Sequence, residues 1–428
     1  MRFVTTAFAV LLLVPCPVVR GDDTLAHAPL LTLDAAFARV LDSDPQLRVF
    51  EPRRAALDAE RERAGQPPVR RLGVELENAP DTGTSGGFAA AELTLTLSSV
   101  LERGGKIDAR RTVAQRRIDA LAVERESRRL DLLAETARRY LSLSAARHQR
   151  EIAASDIAQR KRAVAGARLR VQAGASPESV VLAAEAALAR AELARDRLMH
   201  QQAAARQHLA ALWGEKDPRF DIVAGDPLAL PAVQDAAALA TLLERTPELA
   251  QFADERRIRE ARLQLARSSA SADLEWQVGL RRLQATQDTA LVAGIALPLG
   301  ARGRAVAEIR AAEAELAALD IEREGRDLSL YATLTEAHGR YRVAQFEVQR
   351  LADDVLPKLA RAEAAAERAY RAGAVSYLEW AQLQSEYTAT RRQQLDVAVD
   401  AQRALIEIQR LTGQAFVAGP ATEEGALP

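Results

Sequence analysis

Thiols are almost missing from this chain. Of its 428 residues one is cysteine, Cys16, and it lies within the apolar start of the sequence. Once that start is removed, no disulfide and no thiolate metal site can form. Methionine is as scarce, with only Met199 after Met1, so soft-metal ligands of both kinds are lacking. Neither sign of charge dominates: the formal net charge is −1, which implies no nucleic-acid partner. Beyond the first residues no stretch reaches the roughly 18 consecutive apolar residues that a membrane helix needs. A chain so composed crosses a membrane only as β-strands. A bilayer offers no water to unpaired backbone groups, so such strands must close into a barrel.

Catalytic signatures are missing too. The histidines are His27, His148, His200, His208 and His338. His200 and His208 are too far apart for the i, i+4 zinc pair of a helix. No His-Glu-x-x-His, Cys-x-x-Cys, Walker loop or nucleophile elbow occurs. The histidines read as solvated or packed helix residues, and the chain is expected to be no enzyme, with no cofactor and no resident metal. The pairs Arg110-Arg111, Arg116-Arg117 and Arg128-Arg129 read as solvated helix faces.

Residues 1–21 read as a secretory signal: Arg2 is followed by the apolar run Phe3 to Val14, too short to span a membrane. Cys16 is also a candidate lipidation site, although Pro15 stands where a small residue is usual. Aromatic residues make up 4%, and alanine, leucine, glutamate and arginine dominate, a composition typical of long helices and coiled coils.

The sequence repeats itself at an offset of about 200 residues. Asp44-Pro45-Gln46-Leu47 matches Thr246-Pro247-Glu248-Leu249, and Ala173-Gly174-Ala175 matches Ala372-Gly373-Ala374. Leu212-Trp213-Gly214 matches Leu411-Thr412-Gly413. These landmarks divide the chain into a first repeat (22–214), a linker (215–234), a second repeat (235–413) and a tail (414–428). Each repeat reads helix, β-hairpin, long helix, returning helix.

Period-two alternation marks the hairpins. Leu72, Val74 and Leu76, then Leu93, Leu95 and Leu97, alternate with polar residues; so do Trp276 and Val278, and Ile295 after the next loop. Leu93, Leu95, Leu97, Trp276, Val278 and Ile295 are the candidate lipid-facing residues, with Glu92, Thr94 and Gln277 facing water. The same alternation suits a soluble hairpin packed on its own helices; the signal and the helix lengths favour the barrel. From Lys106 to Ala173 there is no proline, which predicts a helix about 100 Å long at 1.5 Å per residue. Apolar residues at steps of three and four give it a coiled-coil seam through Leu130, Leu133, Ala137 and Leu141, and the second unit has a clearer one at Tyr341, Ala344, Val348, Leu351, Val355, Ala362, Ala366 and Ala369. Pro357 is expected to interrupt and bend the second long helix. Gly174 and Gly373 end long helices, with Ser176 and Ser376 expected to cap the returning ones.

This plan resembles the TolC-like outer membrane factor family over roughly residues 30–417. Asp44-Pro45-Gln46-Leu47, Leu297-Pro298-Leu299, Leu356-Pro357 and Gly373-Ala374-Val375-Ser376-Tyr377-Leu378-Glu379 carry the likeness. Leu76-Glu77-Asn78-Ala79-Pro80 and Leu101-Glu102-Arg103-Gly104-Gly105-Lys106 look like the heavy-metal branch, the outer-membrane subunits of cobalt–zinc–cadmium-type exporters. The resemblance implies a mainly α fold with a small β part. A long coiled-coil barrel would carry four transmembrane strands per chain, twelve in a homotrimer. It implies an outer-membrane duct with a large periplasmic part, served by a periplasmic adaptor and, through it, by a proton-driven inner-membrane pump. Gly174, Ala175 and Ser176, with Gly373, Ala374, Val375 and Ser376, become adaptor-contacting turns, and Tyr370, Glu379 and Gln382 the constriction. Gln382 departs from the family, where an acid is usual. Rival readings are a drug-exporting relative, a periplasmic adaptor, which would need a many-stranded β domain, and a purely structural coiled coil.

Overall fold

The computed structural model describes residues 29–80, 82, 86–223 and 225–416. The expected signal with Cys16, part of the first hairpin loop and most of the C-terminal tail lie outside them.

Local chemistry sets the first elements. Strand β1 (Leu30–Leu31) leads into helix α1 (Leu33–Ser43), capped by Thr32, whose Oγ1 accepts from the Ala35 amide at 3.1 Å. Pro45 ends that helix by pushing Asp44 into an extended conformation. Asp44 then caps the short α2 (Pro45–Arg48), accepting from the Gln46 amide at 2.6 Å. Next come α3 (Phe50–Ala64), β2 (Arg71–Glu77), β3 (Glu92–Leu101), α4 (Lys106–Gln172) and α5 (Glu178–Ala210). The second series is β4 (Asp221–Ile222), α6 (Ala236–Leu243), α7 (Pro247–Ser268), β5 (Leu274–Leu283), β6 (Thr289–Ala296), α8 (Ala301–Arg350), α9 (Leu356–Ala372) and α10 (Tyr377–Thr412). The uninterrupted α4 is 67 residues long.

The two hairpins join into one antiparallel sheet of order β2-β3-β5-β6. Beyond it the helices form two rows that share α4. Nearer the sheet the row is α3, α4, α7, α8; farther away it is α5, α4, α10 and then α8 with α9. Side-chain pairs fix these levels. Arg53 bonds Glu124 and Arg267 bonds Glu313 in the first row, while Arg168 bonds Glu185 and Gln394 bonds the Val348 carbonyl in the second.

Pro357 acts as expected in place and differently in form. The helix does not stop; it widens into a π turn, Leu351–Val355, and runs on into α9. A wider turn accommodates a residue that has no N–H and whose ring crowds the preceding turn. The turn also shifts the seam. Tyr341, Ala344, Val348 and Leu351 are buried as expected, but Val355 is 37% exposed. Beyond it Ala366 is buried as expected, but Glu363 and Tyr370 are buried in place of the neighbouring Ala362 and Ala369.

The main cores lie where the two rows meet. One collects Leu33, Val40, Leu132, Tyr140, Leu143, Leu209 and Ile222; another collects Leu239, Leu334, Tyr341, Leu405, Ile408 and Leu411. The linker supplies a strand that the sequence did not announce. β4 pairs in parallel with β1, Leu31 opposite Ile222, and the Tyr140 hydroxyl reaches the carbonyls of Leu31 (3.0 Å) and Val223 (2.7 Å). Burial pushes that phenol up to about 12.

Candidate functional site

Along most of its length the sheet sorts its side chains by polarity; the exceptions are near the strand ends, Arg282 beside Leu93 on the apolar face and Leu283 beside Glu92 on the polar one. Cross-strand register sets Leu72 beside Leu97, Val74 beside Leu95 and Leu76 beside Leu93, and continues Leu95 to Leu280, Leu97 to Val278 and Trp276 to Ile295. This apolar face is largely uncovered: Leu72 is 73% and Ile295 75% exposed, with Leu93, Leu95, Leu97 and Val278 also exposed and Trp276 half-buried. The opposite face carries Glu75, Glu77, Glu92, Glu275 and Gln277. Glu77 and Glu92 stand directly opposite one another, a repulsive pair on its own. Arg281 lies between them, 3.4 Å from Glu77 and 3.2 Å from Glu92, and donates to Thr94 Oγ1 at 3.0 Å. Thr94, expected to face water, is thereby covered to 2% exposure, whereas Gln277 on the same face is open.

At the foot of the sheet the hairpins are tied to α4. Lys106 Nζ lies 2.7 Å from Asp273, whose carboxylate also accepts from the Arg103 amide at 3.1 Å. Glu102 holds Arg110 through two bonds of 2.6 Å. Burial pushes the Asp273 carboxyl up; Lys106, the Arg103 amide and Arg110 outweigh it and hold it below its ordinary value.

At the far end are the two hairpin tips. Both turns close alike: the amide of Ala175 bonds the Arg170 carbonyl and that of Ala374 bonds the Ala369 carbonyl, each at 2.8 Å. Gly174 and Gly373 take φ of +71° and +84°, a left-handed conformation that disfavours any side chain. Ala175, Ser176, Ala374, Val375 and Ser376 complete the turns, mostly exposed, with Ser176 and Val375 half-buried. Ser376 caps α10 as expected, in a capping box with Glu379. Ser176 does not cap α5; Pro177 occupies that place.

The three constriction candidates are not equivalent. Glu379 and Gln382 lie three residues apart on the exposed side of α10. The Ser376 amide and hydroxyl hold the Glu379 carboxyl below its ordinary value. Tyr370 is 2% exposed, so its ring lies behind the surface of its own chain. It stacks on Trp380 with ring centroids 5.2 Å apart, and the Arg170 guanidinium lies 4.9 Å from its centroid. Trp380 Nε1 in turn donates to the buried Glu363 at 3.1 Å. Arg170, Trp380 and Glu363 escaped the sequence reading. A lone arginine in an alanine-rich helix carries no pattern, and Trp380 and Glu363 meet only after the π turn has shifted α9.

Among the described residues no group of three or more His, Cys, Asp or Glu is placed to hold a metal ion, and no helix is long and apolar enough to cross a membrane. The family described as outer membrane efflux protein matches residues 37–215 and 238–414. The chain belongs to that family. As an outer membrane efflux protein it is a transport channel and not an enzyme. It is 27% identical over 321 residues to the cobalt-zinc-cadmium resistance protein CzcC of Cupriavidus metallidurans, covering 75% of this chain and 77% of CzcC. In fold it is similar to CusC, with a TM-score of 0.74 at 17% identity over 90% of this chain and 92% of that one. It is also similar to VceC of Vibrio cholerae, with a TM-score of 0.69 at 16% identity over 90% and 97%.

Proposed function

We propose that three copies of this chain close side by side into one duct, a twelve-stranded barrel in the outer membrane continued by a helical barrel in the periplasm. What supports this reading is that a single copy ends in open, unlike edges at every level. The sheet stops at β2 and β6, and four strands cannot close when about eight is the practical minimum. The helix rows stop at α8 on one side and at α3 and α5 on the other. Unlike edges make head-to-tail contacts, which give a ring when the rotation closes. The open side of α8 carries Ile321, Gly325, Leu328, Ala332, Thr335 and Gly339, all exposed and stepped by three or four. A Cβ added at Gly325 or Gly339 would meet nothing within 4 Å, so nothing inside one copy accounts for these helix-weakening glycines. The close approach of a neighbouring helix does.

In this reading Leu93, Leu95, Leu97, Trp276, Val278 and Ile295 face lipid, the repeats 22–214 and 235–413 each supply one hairpin of strands and one of helices, and the turns at Gly174 and Gly373 meet a periplasmic adaptor. A proton-driven inner-membrane pump works through that adaptor. Divalent heavy-metal cations are the proposed cargo, on the strength of the likeness to CzcC; a duct for drugs is the alternative. The purified full chain should form heat-modifiable trimers and conduct ions in planar bilayers. A monomer without conductance would overturn the duct. A deletion strain sensitised to cobalt, zinc or cadmium supports the cargo, and one sensitised to drugs alone transfers it to the alternative.

A further inference from the structure

Charge is unevenly spread over the polar face of the sheet. Strand register divides that face into rows. Nearest the helices, Glu275 and Arg71 offset one another in adjacent rows. The next row, Gly73, Thr96, Gly279 and Val292, carries no charge. Toward the hairpin loops stand Glu75 and Arg281 in one row, then Glu77 and Glu92 in the last. Three carboxylates against one guanidinium leave this loop end a formal charge of −2 per copy.

Distances make that loop end an electrical unit of its own. Neighbouring rows on one face are about 7 Å apart along a strand. The last two rows therefore lie within one screening length of each other, about 10 Å at 0.1 M salt. Arg71 and Glu75 are separated by two such steps, about 13 Å, and are largely screened from one another. The constriction candidates stand at the other end of helices about 100 Å long.

The three carboxylates of the loop end are not alike. Arg281 binds Glu77 at 3.4 Å and Glu92 at 3.2 Å, and its third bond, to Thr94, fixes it in place. Glu75 is exposed and has no cationic partner among the described residues. Copies joined edge to edge would bring it none. β6, the strand that would meet β2, carries Ala290, Val292, Gly294 and Ala296 on this face. The uncharged row beneath stays bare by necessity. A Cβ at Gly73 would lie 2.6 Å from Thr96 Oγ1, and one at Gly279 would collide with the Leu95 carbonyl. Glu75 and Arg281 thus stand out from the wall beside them.

We propose that Arg281 sets the ion selectivity of the duct's outer mouth, cancelling one carboxylate of three, and that Glu75 is the carboxylate which passing cations meet. The proposal rests on the duct reading, since only a closed barrel turns this face into a lumen. The hairpin loops point away from the helices, so this end is the exit. A ring of like charge at a pore mouth gathers counter-ions and repels ions of its own sign. Small cations therefore leave through it more readily than anions.

The test is the reversal potential of the purified full chain in planar bilayers under a potassium chloride gradient, with each compartment made dilute in turn. Arg281→Gln should raise the potassium-over-chloride permeability ratio severalfold, and Glu75→Gln should lower it. Arg281→Gln combined with Glu92→Gln restores the net charge and should return the parent's ratio, which a merely structural Arg281 would not do. Arg282→Gln, one residue on and facing the other way, should leave the ratio unchanged. The shifts should be larger with one compartment dilute than with the other, because a charged mouth acts most strongly where it is least screened. If Arg281→Gln fails to insert, Glu75→Gln, at an exposed and unpaired position, decides alone. Unchanged ratios in Arg281→Gln and Glu75→Gln, or an equal shift from Arg282→Gln, overturn the filter and leave the duct standing. A parent that conducts nothing overturns the duct, and the filter with it.

Discussion

Glu379 and Ser376 hold one another across the start of α10. The Glu379 carboxylate accepts from the Ser376 amide at 2.8 Å and from its hydroxyl at 3.0 Å, while the Glu379 amide donates to Ser376 Oγ at 3.3 Å. This capping box gives Glu379 a local duty besides any part in a ring of charge at the constriction. The two duties separate in Glu379→Gln, which keeps the capping oxygen and loses the charge. Its trimers should be as heat-resistant as the parent's, and its channel should lose cation preference and cation block in planar bilayers. Unchanged selectivity at low and high salt would leave Glu379 with the capping duty alone. Ser376→Ala removes the cap and should cost the tip about 1 kcal/mol, seen as faster hydrogen exchange in the first turn of α10.

The two faces of the sheet should respond oppositely to charge. Leu95 lies mid-strand on the apolar face, so Leu95→Arg should cost roughly 2–4 kcal/mol in a bilayer. Gln277→Arg, on the polar and open face, should be tolerated. Thr94, although on the same face, does not serve for this test, because Arg281 covers it. Urea unfolding from lipid vesicles measures both variants; equal losses would dispose of the barrel.

Alternation and punctuation carried most of this fold into the sequence. Leu72 to Leu76 and Leu93 to Leu97 could be placed on one face because period two leaves no other choice, and Gly174 and Gly373 because a left-handed turn asks for glycine. Three features were illegible, each for its own reason. β1 and β4 are two residues each and pair across almost the whole first repeat, too short to show a period. The π turn adds a residue to the seam without altering composition. A heptad count carried past Leu351 therefore puts Ala362 and Ala369 inside, where Glu363 and Tyr370 are. That slip also hid the tip: Tyr370 could be named from resemblance, but Trp380, Glu363 and Arg170 become its neighbours only in the shifted phase.

Gly325 and Gly339 offer a test of the seam between copies that leaves each copy intact. Nothing lies within 4 Å of a Cβ at either position. Replacing either with leucine should stabilise an isolated helix by roughly 0.8–1 kcal/mol. The same leucine should block close approach by a neighbour, so the variants should refold with parent-like circular dichroism yet run as monomers in native mass spectrometry. Trimers of full yield from both would move the seam away from this side of α8.

The last prediction concerns acid. Asp273 is the shared partner of Lys106 and the Arg103 amide, and these hold its carboxyl below the ordinary carboxylate value. A carboxyl lowered in the folded chain binds its proton less tightly there than in the unfolded one. Its contribution is therefore complete above the ordinary carboxylate range and is lost as pH falls through the lowered value. The junction between sheet and α4 should loosen in that acidic window, with the ion pair to Lys106 failing first. Asp273→Asn keeps an acceptor for the Arg103 amide and abolishes the titration. The parent's thermal midpoint should fall on acidification more steeply than the variant's, and the two should converge at the acid end. Parallel curves for parent and variant would show that the acid sensitivity of the chain resides elsewhere.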